Sequence, residues 1–185
     1  RIVLHKDVDG FHPINVGRHA MKGREPEFIP ATPYGCMVLL HEAEKLISGF
    51  TIAGSNALVL GRSNIVGMPM ALLLTKADAT VTIAHSKTKN LAKFVSEADI
   101  VIGAMGRAEM IKGEWFKPGA VCVDGATVKV DDPNAPNGYV WKGDFEFNIA
   151  RERVAAISPV PGGVGPMTIA MLLKNTLHGA ELSIG

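Results

Sequence analysis

The sequence predicts an α/β fold with a doubly wound parallel sheet, and three observations carry it. Short apolar runs at 57–60, 80–84, 100–103 and 120–124, with a further short one at 154–157, alternate with helical patterns. Such alternation implies a parallel sheet covered on both faces by right-handed crossovers. The first of these runs stops at Gly61 and leads through Arg62-Ser63-Asn64 into a helical pattern, an order that suits a bound phosphate. The chain of 185 residues, 47% hydrophobic and 20% charged, suits one such domain with a small appendage.

Residues 1–35 are polar and rich in turns. Lys6-Asp7-Val8-Asp9-Gly10 reads as an acidic turn, and His12-Pro13-Ile14-Asn15 and Gly23-Arg24-Glu25-Pro26 read as further breaks. Apolar residues at 36, 39, 40, 43, 46 and 47 then give helical spacing, with Thr32 as the expected N-cap and Pro33 as the first helical residue. Ser48-Gly49 ends that helix. Beyond Gly54 the strands alternate with helices at 70–75, at 91–96 and, briefly, near 113–116. The stretch 132–143 reads as a loop with a tight turn at Asn137-Gly138. A final helix is predicted over 167–182, with Pro166 at its first position and apolar residues at 169, 172, 173 and 177.

Composition narrows the function. A net charge of +1 without runs of one sign argues against a nucleic-acid surface, and no apolar run reaches membrane-spanning length. Cys36 and Cys122 lie far apart and form no zinc or redox motif, which fits a reduced intracellular compartment. The expected compartment is the cytoplasm, with the mitochondrion left open. The six histidines have no metal-ligand spacing and read as surface or loop residues, so no metal site is expected. The methionines at 68, 70, 167 and 171 read as core. The chain starts without an initiator Met, and an N-terminal segment is expected to precede it.

Two glycine clusters and one carboxylate pair are the candidates for chemistry. Gly61 and Gly67 are six residues apart and an arginine follows the first, so the dinucleotide fingerprint of three closely spaced glycines is absent. Taken alone, the motif serves a phosphate or a plain turn equally well. The second strand, however, ends in His85-Ser86-Lys87-Thr88. NAD-binding folds place an acid there to hold the ribose 2′-hydroxyl. Here a hydroxyl and a cation replace it, and Arg62 stands on the neighbouring loop, so the residues favour the 2′-phosphate of NADP. The second cluster has three glycines (Gly162, Gly163, Gly165) and three prolines within 159–166, more than one turn needs, and reads as a ligand wall. Asp7 and Asp9 suit either an exposed turn or a carboxylate that accepts two adjacent N–H donors of a heterocycle.

Eight segments occur in one order: KDVDGFHPINVGR (6–18), the turn Ala31 to Gly35, GRSNIVGMP (61–69), ATVTIAHSKT (79–88), ADIVIGAMG (98–106), WFKPGAVCVD (115–124), GDF (143–145) and PVPGGVGPMTIAMLL (159–173). Together they resemble the bifunctional methylenetetrahydrofolate dehydrogenase/methenyltetrahydrofolate cyclohydrolase family, the FolD-type enzymes, over nearly the whole chain. The resemblance implies a Rossmann-like NADP-binding domain at 31–160. It also implies a remnant of a smaller folate domain at 1–30, and a segment at 161–185 that returns to that domain. It implies NADP-dependent oxidation of 5,10-methylenetetrahydrofolate, then hydrolysis to 10-formyltetrahydrofolate, in a homodimer paired through the cofactor domain.

Residue by residue, the resemblance makes Gly61, Arg62, Ser63 and Ser86 cofactor residues. Pro161, Gly162, Gly163, Val164 and Gly165 become the wall shared by folate and nicotinamide, with Thr168 beside the nicotinamide. Asp9 becomes the pterin-binding carboxylate and the chain's one candidate for the catalytic set. Two departures stand out. The family's Tyr-x-x-x-Lys motif and a nearby glutamine lie upstream of KDVDG and are absent here, so the 185 residues alone are expected to bind NADP without catalysis. The family's D-V-G-I-N is here Asp124-Gly125-Ala126-Thr127-Val128, and Thr127 is retained as a cofactor-binding candidate. The alternative reading is a non-catalytic NADP-binding or dimerisation module derived from the same family.

Overall fold

The computed structural model describes residues 2–184. In chain order its elements are α1 (Pro13–Ala20), α2 (Ala31–Leu46), β1 (Asn56–Leu60), α3 (Gly67–Lys76), β2 (Thr80–Ala84), α4 (Leu91–Glu97), β3 (Ile100–Gly103), β4 (Val121–Asp124), β5 (Val128–Asp131), β6 (Tyr139–Lys142), α5 (Phe147–Ala150), β7 (Ala156–Ile157) and α6 (Val164–Ile184). A five-stranded parallel sheet runs in the order β2-β1-β3-β4-β7. Its inner strands IVIG and VCVD are buried at every position, as a sheet covered on both faces requires.

One face carries α2 and α3, with Leu40, Met70 and Leu74 packed on Val59 and Ile102. The other carries α4, a 3₁₀ turn at Gly113–Trp115 and α5, with Val95, Phe116 and Ala150 against Leu58 and Val101. Helix α6 lies against α2 at close range, because a Cβ on Gly35 would come within 2.9 Å of the Met167 Cβ. The buried Asn175 of α6 donates to the carbonyls of Val8 and Ile29, both at 2.8 Å, and so ties the N-terminal segment to the final helix.

Several elements differ from the sequence reading, each for a local reason. His12-Pro13 starts α1 rather than breaking the chain: the His12 ring accepts from Ile14 N at 3.2 Å, and Pro13 occupies the first turn, where its missing N–H costs nothing. Helix α2 begins at Ala31 after Pro30, so Thr32 lies inside the first turn instead of capping it. Helices α3 and α6 each start three residues earlier than predicted, at Gly67 and Val164. The predicted loop 132–143 contains β6, which pairs antiparallel with β5 into a hairpin, with Lys129 standing 4.2 Å over the Tyr139 ring. The turn expected at Asn137-Gly138 is the second of two in the connection 132–138, with Gly138 N donating to the Ala135 carbonyl at 2.9 Å and Gly138 at φ +71°. The predicted strand at 154–157 shrinks to Ala156–Ile157, and α5 was not foreseen. His19 is buried rather than superficial, and Met68 is exposed rather than core.

Candidate functional site

Strand order reverses between β1 and β3, because β2 lies on one side of β1 and β3 on the other. Ligands of open α/β sheets sit at this point, outside the carboxyl ends of the strands. Three loops meet there. Gly61 adopts φ +128°, and a Cβ on it would run into the Ala104 carbonyl of the β3 loop. A Cβ on Gly67 would lie 2.6 Å from the Gly61 carbonyl carbon, so α3 begins directly on the Gly61 turn. Ser63 shapes the loop between them: its Oγ accepts from Val66 N and Gly67 N at 3.2 and 3.3 Å.

The β2 tip lies beside this loop. Leu60 pairs with Ala84, and Gly61 N donates to the Ala84 carbonyl at 2.8 Å, so Arg62 and Ser86 leave adjacent strand ends. His85 and Thr88 hold the tip: His85 N donates to Thr88 Oγ1 at 2.9 Å, and Lys87 N to His85 Nδ1 at 3.2 Å. Ser86 and Lys87 are left exposed. Arg62 is exposed too, and among the described residues its side chain has no hydrogen-bond or ion-pair partner.

The proline-glycine segment runs from the end of β7 into α6. Gly162 adopts φ +106°, and Gly163 N donates to the Pro159 carbonyl at 2.9 Å. Pro161 and Gly162 are exposed, as is Gly165, whereas Val164 is only 4% exposed as a whole residue and packs in the core. Val164 therefore presents almost nothing to a ligand, and any wall here falls to its neighbours Pro161, Gly162 and Gly165. Thr168 donates to the Val164 carbonyl at 3.0 Å, which leaves Thr32 to donate across the α2–α6 contact to Thr168 Oγ1 at 3.1 Å. Thr127 is exposed just before β5, at the end of the loop that Gly125 N anchors on the Gly103 carbonyl at 2.9 Å.

The two early carboxylates part ways. Asp7 is 6% exposed and accepts from Phe11 N, His12 N and Asn15 Nδ2 at 3.2, 2.7 and 2.9 Å, so it holds the start of α1. Asp9 is exposed, and among the described residues its carboxylate has no partner.

The sequence reading missed a second pair of acids. Asp124 ends β4 and accepts from Phe145 N at 2.9 Å and Ala126 N at 3.1 Å. Burial raises its pKa to about 6, and the neighbouring Asp144 carboxylate adds to the rise. Asp144, fully buried, accepts from Met105 N at 2.6 Å and Arg107 N at 2.7 Å, and burial raises it as well. Both cysteine thiols are buried and pushed up by it, Cys36 to about 12, which rules them out as nucleophiles near neutral pH. Among the described residues no three His, Cys, Asp or Glu side chains gather as metal ligands.

A sequence model of the NAD(P)-binding domain of tetrahydrofolate dehydrogenase/cyclohydrolase matches residues 30–184. The chain belongs to that family. Relatives within the dehydrogenase/cyclohydrolase family include the bifunctional protein FolD 2 of Arabidopsis thaliana. It is 56% identical over 184 residues, which cover 100% of this chain and 60% of that protein. The bifunctional protein FolD 2 of Geobacter metallireducens is 55% identical over 176 residues, covering 95% of this chain and 57% of that one. The dehydrogenase-cyclohydrolase of Trypanosoma brucei, solved with NADP and an inhibitor, superposes with a TM-score of 0.91 at 44% identity, covering 99% of this chain and 61% of that one. The chain thus spans about 60% of the length of these relatives. What it supplies to the dehydrogenase/cyclohydrolase family's common plan is the NAD(P)-binding domain.

Proposed function

We propose that this domain binds NADP in preference to NAD. We propose further that it serves an enzyme that oxidises 5,10-methylenetetrahydrofolate to 5,10-methenyltetrahydrofolate and hydrolyses the product to 10-formyltetrahydrofolate. One observation carries the cofactor choice: Arg62 and Ser86 stand on loops fed by paired strand ends, both without a side-chain partner among the described residues, with no acid on the β2 tip. An NAD site would use an acid there. The residues fit the dinucleotide in other respects. Gly61 and Gly67 bring backbone close to the place where a pyrophosphate would lie, and Ser63 sits between them at the start of α3.

In this reading Arg62 grips the 2′-phosphate with its planar fork and Ser86 adds a hydroxyl donor. When bound, the nicotinamide supplies the acceptor for the hydride that leaves the folate's one-carbon bridge. The exposed Pro161, Gly162 and Gly165 would exclude water on one side of that ring, with Val164 supporting them from the core, and Thr168, oriented by Thr32, would serve its edge. Thr127 lines the cofactor side of the β4 loop. Asp9 accepts the paired N–H donors of the pterin, a task for which its free carboxylate is suited and the engaged Asp7 is not. The 185 residues contain no Tyr-x-x-x-Lys, so none of them is assigned proton management at the one-carbon unit, and residues 1–30 are assigned to the folate-binding part. The working enzyme is proposed to be a homodimer in the cytoplasm. Relatives bear chloroplastic and mitochondrial names, and among the described residues no helix is long and apolar enough to cross a membrane.

Titrating the chain with NADP and NAD by calorimetry tests the reading. Tighter binding of NADP supports it, and equal or weaker binding of NADP overturns the 2′-phosphate assignment. Folate turnover on adding the N-terminal portion of a relative supports the enzyme over a non-catalytic module, and cofactor binding without any turnover in that reconstituted protein favours the module.

A further inference from the structure

The loop that follows β3, residues 104–110, forms one side of the cleft at the strand-order reversal. Its first residue is fixed by the sheet: Ala104 N donates to the Leu60 carbonyl at 2.9 Å. Its last part is fixed by the segment that follows β6: Glu109 N donates to the Gly143 carbonyl and Ile111 N to the Asp144 carbonyl, each at 2.9 Å. Between these anchors the chain turns through Gly106 at φ +68°. The N–H groups on either side of that glycine, of Met105 and Arg107, both point to the carboxylate of Asp144, one to each oxygen, at 2.6 and 2.7 Å. They have no other backbone partner.

Asp144 lies 37 residues beyond Arg107 and is fully buried, so a charge has been carried into the interior to hold this turn. A buried carboxylate is costly unless hydrogen bonds satisfy it. Next to it Asp124 does the same for the β4 loop through Ala126 N, and reaches back to Phe145 N, the residue after Asp144. The β3 loop is also the surface against which Gly61 is pressed, so its position sets how far the phosphate turn and the β3 loop stand apart.

We infer that Asp144 is a positioning residue for the dinucleotide, acting through the Met105–Arg107 turn rather than by contact with the ligand. The inference rests on the cofactor reading above. Asp144 governs the cleft common to NADP and NAD, whereas Arg62 reads only the 2′-phosphate. Asp144→Asn keeps the shape of the side chain but turns an NH₂ group toward one of the two N–H donors. The expected result is a rise in Kd for NADP and NAD by the same factor. That factor is roughly tenfold, the size of one net hydrogen bond. Amide exchange measured by mass spectrometry should quicken in the peptide covering 104–107 and remain slow in β1 and β3.

Gly106→Ala supplies a second route. It strains the same turn at φ +68°, has open space for the added methyl and removes no buried charge. It too should raise both dissociation constants together while leaving the cooperative unfolding transition in place. Unchanged affinities in folded Asp144→Asn, or in Gly106→Ala should Asp144→Asn fail to fold, would overturn the inference, as would a loss confined to NADP. Failure of the wild-type chain to bind either cofactor would instead overturn the cofactor reading itself.

Discussion

Arg62→Ala tests the proposed recognition of the 2′-phosphate apart from every other contribution to cofactor binding. The side chain is exposed and unpartnered among the described residues, so its removal leaves the folded chain as it was. The expected shift in melting temperature is therefore within error of zero. A charge-assisted contact is worth about 1.5–3 kcal/mol. Both loops are open to solvent, and salt screens exposed charges over about 8–10 Å, which favours the lower part of that range. A loss of about 1.5–2 kcal/mol corresponds to a rise of about 12- to 30-fold in the Kd for NADP. The Kd for NAD should move by less than about twofold, since NAD brings no charge to that place. Calorimetric titration of wild type and variant with both cofactors, at low and moderate salt, gives the four numbers needed. Raising the salt should weaken NADP in the wild type and have little effect on the variant. Arg62→Lys should fall between them, since it keeps the charge but loses the fork. An equal loss for NADP and NAD, or a wild type that prefers NAD, would refute the reasoning.

Other outcomes follow from the same geometry. Asp7→Ala removes the acceptor of three hydrogen bonds at the start of α1 and should cost on the order of 3 kcal/mol in urea denaturation, whereas Asp9→Asn should leave stability unchanged. In the complete enzyme Asp9→Asn should raise the KM for the folate while leaving NADP affinity intact, and unchanged folate kinetics would reject its role. Asp124 has a folded pKa of about 6 against an ordinary 3.8, so its contribution to stability is full below about pH 3.8 and is lost as pH rises through about 6. The difference amounts to about 3 kcal/mol at most, and the urea midpoint of Asp124→Asn followed by circular dichroism should fall less steeply between pH 4 and 6.5 than that of wild type. Gly35→Ala drives a methyl to 2.9 Å from the Met167 Cβ, and a loss of about 1–3 kcal/mol in the same assay is expected from wedging α2 away from α6.

The sheet was legible because its inner strands are apolar up to their carboxyl ends, and such runs bounded by glycine have few other uses. What escaped the pattern was polar at the level of single residues. The strand β6 follows Asp132-Pro133-Asn134, a run that announces a loop, and only Tyr139, Val140 and Trp141 argue for a strand. Helix α1 was hidden by Pro13, which breaks a helix in its interior and favours one at its start. Which of those roles a proline plays depends on the residues that cap it, and here the cap comes from Asp7 and His12 together.

The site divides along the same line. The proposed cofactor residues Arg62 and Ser86 were candidates from sequence because each lies just past a strand end, and strand pairing brings those ends together at a known place, whereas Ser63 entered only through the family resemblance. Asp124 and Asp144 could not, since their partners are backbone N–H groups on loops up to 39 residues away, and a backbone donor leaves no trace in the residue identity. The one available signal was the Gly143-Asp144-Phe145 motif, whose glycine leaves the space that the Asp124 carboxylate fills and whose Phe145 N–H meets that carboxylate. Candidates for ligand contact can therefore be proposed from where strands end. Residues that set the distance between loops emerge only when the hydrogen bonds of those loops are followed to their acceptors.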